Sequence, residues 1–250
     1  MAKLAGEELR EIPYYGLMET KIGGADCVIS QTGFTGEKGY EIYVRDAHEN
    51  AEKMWNAVLE AGEEFGLMVI APAHHRRIAA GILSWGQDLD HETSPFQVNL
   101  SYQVPRNKEA DYIGKEALEK QRAIIDEGNA PFKMKMVGLI FGGKEITDYA
   151  PDFWLINDTD GNEMGFISSP WWSPELNTNI ALGWGPWDSS ELGTKLQVML
   201  PDEYSESSGV PVEGEIPRCE AQVQNVITLL VCDLTKQPYQ RLRQHLWIHP

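Results

Sequence analysis

Apolar and polar residues alternate along the first third of the chain. The alternation over Met18 to Ile22 and Ala25 to Gln31 predicts two strands, and Gly23-Gly24 between them predicts a tight hairpin turn. Tyr40-Glu41-Ile42-Tyr43-Val44 alternates again and predicts a third strand, with Tyr40 facing the core and Glu41 the other side. From Asp46 the period lengthens. Ala51, Met54, Trp55, Val58 and Leu59 fall at helical spacing, which predicts a helix closed by Gly62 and Gly66, with Trp55 on its buried face. Residues 4–12 are charged and helix-like. A second helix is expected over Pro72–Ser84 and a short one over Lys115–Gln121, followed by a linker at 122–132. From Lys133 the pattern becomes short β-type runs at 134–141, 153–157, 164–169, 179–184 and 195–200. These predict a small antiparallel barrel or sandwich, with Trp171-Trp172 in an aromatic loop that lines a site or fills the barrel end.

The third strand follows a segment of concentrated chemistry, Gln31-Thr-Gly-Phe-Thr-Gly-Glu-Lys-Gly-Tyr-Glu-Ile-Tyr43. Glycines at 33, 36 and 39 let the backbone turn through positive φ and let a flat ligand come close. Glu41 is then a carboxylate on a rigid strand beside that turn. It suits a ligand with paired N–H donors, such as a pterin ring, or it is a solvated acid on a plain hairpin. No Gly-Lys-Ser/Thr follows the glycines, so the segment is not a phosphate loop.

Composition narrows the classes. The 250 residues suffice for one to three compact domains, and 42% hydrophobic content marks a globular chain. A net charge of −17 gives no general attraction for nucleic acid or an anionic membrane surface, so neither is expected as a partner. No apolar run reaches the roughly 18 to 20 residues that would span a bilayer, and no signal peptide is evident. The three cysteines, Cys27, Cys219 and Cys232, are scattered. They suit a reducing cytoplasm, with Cys27 a core residue. His74-His75 are helix neighbours pointing about 100° apart, so no metal site is expected there.

Four blocks, in order, resemble one family. Thr32-Gly-Phe-Thr-Gly-Glu-Lys-Gly-Tyr-Glu-Ile42 is similar to the TGYTGEDGFEI signature of the aminomethyltransferase (glycine cleavage T-protein) superfamily. Arg77-Ile-Ala-Ala-Gly-Ile-Leu-Ser-Trp-Gly-Gln-Asp-Leu-Asp90 with Thr93-Ser-Pro95 resembles RLEAGMPLYGHELDEDTTP, and Asp111-Tyr-Ile-Gly-Lys-Glu-Ala-Leu118 resembles DFIGKEAL. Gly165-Phe-Ile-Ser-Ser, Ser173-Pro-Glu-Leu and Ile180-Ala-Leu-Gly183 resemble its late strands. The wording Leu83-Ser-Trp-Gly-Gln-Asp88 leans to the folate-dependent demethylase branch, which includes dimethylsulfoniopropionate demethylase.

The resemblance implies an α+β chain: a partial folate-binding three-domain T-protein fold with a C-terminal antiparallel β-barrel. Its regions would be a folate-binding part at 1–130, the barrel at 131–226 and a tail without family likeness at 227–250. It implies tetrahydrofolate as cofactor, a small-molecule methyl or aminomethyl donor as partner, and a cytoplasmic one-carbon transferase of demethylase-like type. The alternatives are the aminomethyltransferase of the glycine cleavage system and a non-catalytic folate-binding protein or fragment of the same fold. Glu41 would hold the pterin, and Phe34 would take the place of a family tyrosine beside the folate. Trp171 would cover the ligand. Arg77 would either pair with a ligand carboxylate or fix the helix through an internal salt bridge. A further family arginine corresponds to Ala73, and Arg76 could substitute for it. Asp88 and Asp90 look like paired acids, which the family does not use as acid and base. The family's chains are longer, and their catalytic aspartate lies in the front part that this sequence does not match. The resemblance therefore implies an N-terminally truncated chain, and no catalytic residue is assigned. The 227–250 tail suggests a frameshifted or incompletely assembled gene end, which resequencing tests.

Overall fold

The structure is a computed structural model that describes residues 1–72, 74–150, 152–205 and 218–224. The chain divides into two compact units, Met1–Ala73 and His74–Pro250. The boundary expected at 130/131 falls inside the second unit, and the tail expected at 227–250 lies outside the described residues.

In the first unit, a short helix α1 (Ala2–Ala5) and a 3₁₀ turn (Glu7–Glu11) take the place of the single helix expected at 4–12. Strands β1 (Leu17–Ile22), β2 (Ala25–Ser30) and β3 (Glu41–Val44) form an antiparallel sheet in that order. Gly23 and Gly24 both have positive φ, 58° and 82°, which matches their turn to the strand twist. A Cβ on Gly23 would lie 2.8 Å from the Lys53 carbonyl oxygen, so helix α2 (Ala47–Glu63) runs directly against the turn. Leu9, Ile12, Ile22, Ala25, Cys27 and Ile29 form the core. Met54, Ala57 and Val58 of α2 pack on it, as do Tyr40, Ile42 and Val44, which leaves Glu41 and Tyr43 exposed on the other face of β3.

The helical stripe is thus offset from the expected one. Trp55 is 48% exposed, and Ala51 is exposed as well. A helical face about 100° wide accommodates both registers, and the side chains that meet the sheet are those at 54, 57 and 58.

The second unit begins with α3 (His74–Ala79), which is much shorter than the helix expected over Pro72–Ser84. Gly81, at φ 68°, ends it in a Schellman motif, with Ile82 N–H on the Arg77 carbonyl and Gly81 N–H on the Ile78 carbonyl. Helix α4 (Lys115–Asp126) has the opposite outcome. It runs into the expected linker until Gly128, at φ 82°, closes it in the same way. Six strands follow: β4 (Met134–Phe141), β5 (Trp154–Asn157), β6 (Glu163–Ser173), β7 (Thr178–Pro186), β8 (Lys195–Met199) and β9 (Arg218–Gln224). They pair antiparallel around a closed ring, β4-β7-β6-β5-β8-β9, with β9 returning to β4.

Val137, Leu139, Phe141, Trp154, Ile156, Ile167, Ala181, Leu196 and Val198 form one core cluster of the ring. A second cluster joins the alternate residues Met136, Ile180, Leu182 and Trp184 to Ile78 of α3 and to Val98. Strands β4 and β7 are therefore covered on both faces, which is why they read as near-continuous apolar runs. Among the described residues, no helix is long and apolar enough to cross a membrane.

Candidate functional site

The residues singled out by sequence occupy two settings, one in each unit. In the first unit the register pairs Ser30 with Glu41, so the carboxylate begins β3 directly across from the end of β2. The loop between them carries Thr32, whose Oγ1 donates to Glu41 Oε2. Because Thr32 spends its proton there, the 2.6 Å contact between Ser30 Oγ and Thr32 Oγ1 has Ser30 as donor. Tyr43, two residues along the same strand face, donates its hydroxyl to the same Oε2 at 3.3 Å. Both bonds fall on one oxygen, and Glu41 Oε1 has no partner among the described residues. The result is an exposed carboxylate aimed by a Ser30–Thr32 hydroxyl chain and open on one side.

The glycines are used unequally. Only Gly36 takes positive φ, at 75°. A Cβ on Gly33 would meet nothing within 4 Å, and one on Gly39 would make only ordinary contacts at 3.8 and 3.9 Å. The fold therefore requires glycine at 36 alone, and the space over Gly33 is unfilled. Phe34, on the same loop, is 44% exposed.

In the second unit, Arg77 is 1% exposed and makes an ion pair with the equally buried Asp88, Nη1 to Oδ2 at 2.7 Å. All five guanidinium N–H donors have acceptors. Nη1 also donates to the Ile82 carbonyl at 3.2 Å, Nη2 to Ser169 Oγ at 2.7 Å and to Gln87 Oε1 at 3.3 Å, and Nε to His74 Nδ1 at 3.3 Å. Asp88 is equally engaged. It accepts from the Ser84 N–H at 2.8 Å and from Ser168 Oγ and Ser169 Oγ at 2.6 and 2.5 Å.

Two consecutive serines can face one carboxylate because the register of β6 on β7 shifts between Ile167 and Ser169. The irregularity turns Ser168 and Ser169 to the same side. Gln87 Nε2 and Trp184 Nε1 complete the clasp, on the Ser168 and Asp88 carbonyls. Of the two roles open to Arg77, the geometry is that of the internal salt bridge, with every donor occupied. Arg76, one position earlier, is exposed, and Ala73 lies outside the described residues.

Trp171 sits on β6 opposite Ile180 rather than in a loop, since β6 continues through Pro170 to Ser173. It is half-buried, and its ring centroid is 5.3 Å from that of His74 and 6.0 Å from that of Tyr149. Burial, and then the Arg77 charge, lower the His74 pKa below its ordinary value. Asp88 and Asp90 do not form an acid pair. Asp90 caps an exposed turn, and bonds from Glu92 N–H and Thr93 hold its carboxyl below the usual range. Among the described residues, no cluster of His, Cys, Asp and Glu could hold a metal ion.

Sequence reasoning singled out Glu41 and Arg77 without the residues that aim them, Thr32, Ser30 and Tyr43 for the first and Ser168 and Ser169 for the second. The hairpin register would have revealed Ser30 opposite Glu41. Nothing local pointed to serines some 80 positions beyond Asp88.

Comparison with known proteins adds three findings. Residues 1–108 match the GCVT N-terminal domain family. The aminomethyltransferase of Geobacillus sp. (strain WCH70) is 32% identical over 203 residues, 80% of this chain and 52% of that protein. That of Desulfitobacterium hafniense (strain DSM 10664 / DCB-2) is 32% identical over 213 residues, 84% of this chain and 55% of that protein. Among solved structures, the glycine cleavage system aminomethyltransferase T from Bartonella henselae superposes with a TM-score of 0.65 over 88% of this chain and 54% of that one. At 21% identity, this likeness is one of fold. The findings support the T-protein superfamily, and the chain spans about half the length of the curated relatives it matches.

Proposed function

We propose that this chain carries the folate-recognition part of a tetrahydrofolate-dependent one-carbon transferase. The observation that carries this reading is Glu41, an exposed carboxylate with one oxygen held by Thr32 and Tyr43 and the other open. It stands beside the unfilled space over Gly33, within the stretch that matches the GCVT N-terminal domain. A pterin presents an N–H and an amino group side by side, and a carboxylate accepts such a pair on its two oxygens. Oε1 is available at once. Oε2 accepts a second ligand bond as the long one from Tyr43 is given up, while Thr32 keeps the carboxylate oriented.

Tetrahydrofolate would supply the nitrogen that takes up the one-carbon unit. The residues described here would bind and orient it, which is the larger part of catalysis when reactants need only be brought together in a dry pocket. Phe34 offers an apolar ring to the ligand without the hydroxyl of a tyrosine. Trp171 belongs to a separate aromatic group with His74 and Tyr149.

The relatives' names favour an aminomethyl donor. The demethylase-like alternative leaned on Leu83–Asp88, and there Gln87 and Asp88 are engaged with Arg77, Ser168 and Ser169. Their contacts account for those residues without reference to a donor. The three-domain arrangement and cytoplasmic location remain part of the proposal. Calorimetric titration of the purified chain with tetrahydrofolate, beside Glu41→Ala, tests the reading. Binding by the parent that the substitution abolishes is expected, and equal binding by both would remove Glu41 from it.

A further inference from the structure

The buried arginine fixes more than the ion pair. Arg77 Nε–H points at His74 Nδ1. A guanidinium stays protonated in a protein, so Nδ1 must accept, and the single proton of a neutral imidazole then sits on Nε2. Nε2 meets the Tyr149 hydroxyl. His74 is 8% exposed, and burial together with the Arg77 charge disfavours a second proton on the ring. His74 therefore donates to Tyr149 Oη. The phenol accepts that bond and keeps its own O–H proton for something else.

Tyr149 is 62% exposed, and His74 is its hydrogen-bond partner among the described residues. Its ring stands edge-on to those of His74, at 4.3 Å between centroids, and Trp171, which restrict how the hydroxyl can turn. An exposed tyrosine anchored at its tip by a buried, uncharged histidine is an unusual use of an Asp88–Arg77–His74 chain if the chain serves packing alone.

We propose that Tyr149 is a ligand-binding residue whose hydroxyl, aimed by His74 and Arg77, donates to a carbonyl or carboxylate oxygen of the bound ligand. Trp171 forms the apolar wall beside it. Arg77 and His74 act as positioning residues and touch no ligand. The choice of a folate as that ligand rests on the reading given for Glu41, whereas the direction of the hydrogen-bond chain does not.

Two measurements on the full chain test this. In calorimetric titrations with tetrahydrofolate, Tyr149→Phe should bind about tenfold more weakly than the parent, the effect of one lost hydrogen bond, with an unchanged unfolding midpoint. His74→Phe should also weaken binding. His74→Gln should restore much of it, because its amide offers an acceptor to Arg77 and a donor to Tyr149. Equal affinity of the parent and Tyr149→Phe overturns the proposal and leaves the Glu41 reading standing. No binding by the folded parent overturns both. Independently, nitrogen-15 NMR of the histidine rings at pH 6 should show His74 with a bare Nδ1 and a protonated Nε2. A protonated Nδ1 overturns the hydrogen-bond chain whatever the titrations give.

Discussion

Glu41 and Asp88 are both carboxylates that accept from hydroxyls of nearby Ser or Thr residues, yet their surroundings give them opposite uses. Asp88 is buried, with an arginine, two serines and a backbone N–H filling its acceptor sites. Glu41 lies at the surface, its bonds gathered on one oxygen. A buried charge must be matched on every side or it destabilises the fold. An exposed charge can leave an oxygen to water, and water yields to a ligand. What separates a structural acid from a recognition acid here is the acceptor left over.

The contrast can be broken most forcefully at the buried end. Asp88→Asn leaves the Arg77 charge uncompensated in the interior and should cost about 3–5 kcal/mol in urea unfolding. Replacing both partners with apolar residues, Arg77→Met with Asp88→Leu, should recover much of that loss. A single replacement without effect would mean that the pair is not dry.

Next in size is Thr32→Val, which keeps the shape and removes the hydroxyl that aims Glu41. It should weaken tetrahydrofolate binding by roughly tenfold, as one lost hydrogen bond would, while stability stays within about 0.5 kcal/mol. Titration calorimetry and urea unfolding read the two effects separately.

The smallest effect concerns pH. The His74 pKa is lower in the folded chain than in the unfolded one, where it is about 6.5. The unfolded state therefore takes up the proton first. The stability contributed by neutral His74 is complete above that value and is lost as pH falls through it. Arg77, Asp88 and Tyr149 are the charged and titratable groups facing the ring. Urea unfolding between pH 7.5 and 5 should show a steeper loss for the parent than for His74→Gln, and parallel curves would show that His74 does not titrate in this range.

Much of the fold could be read from the residues. Alternation gave β1, β2 and β3 because one face of each packs on the core, and with them the surface position of Glu41. The helix ends were less legible. Gly81 stops α3 early and Gly128 lets α4 run late, and both are decided by which glycine takes positive φ at the last turn. Trp171 was assigned to a loop because Pro170 lacks an N–H for a strand ladder. The structure keeps Pro170 within β6, opposite Ala181. The Arg77–Asp88 clasp was beyond sequence reasoning because its remaining partners, Ser168 and Ser169, reach the carboxylate only through a strand irregularity.

The most direct measurement is the titration of the intact chain with tetrahydrofolate, parent against Glu41→Ala, with urea unfolding of both run alongside. Saturable binding by the parent, none by the variant and superimposable unfolding curves are the expected result. A folded parent that does not bind, or a variant that binds as well as the parent, would contradict the assignment of Glu41 as the acid that recognises the folate.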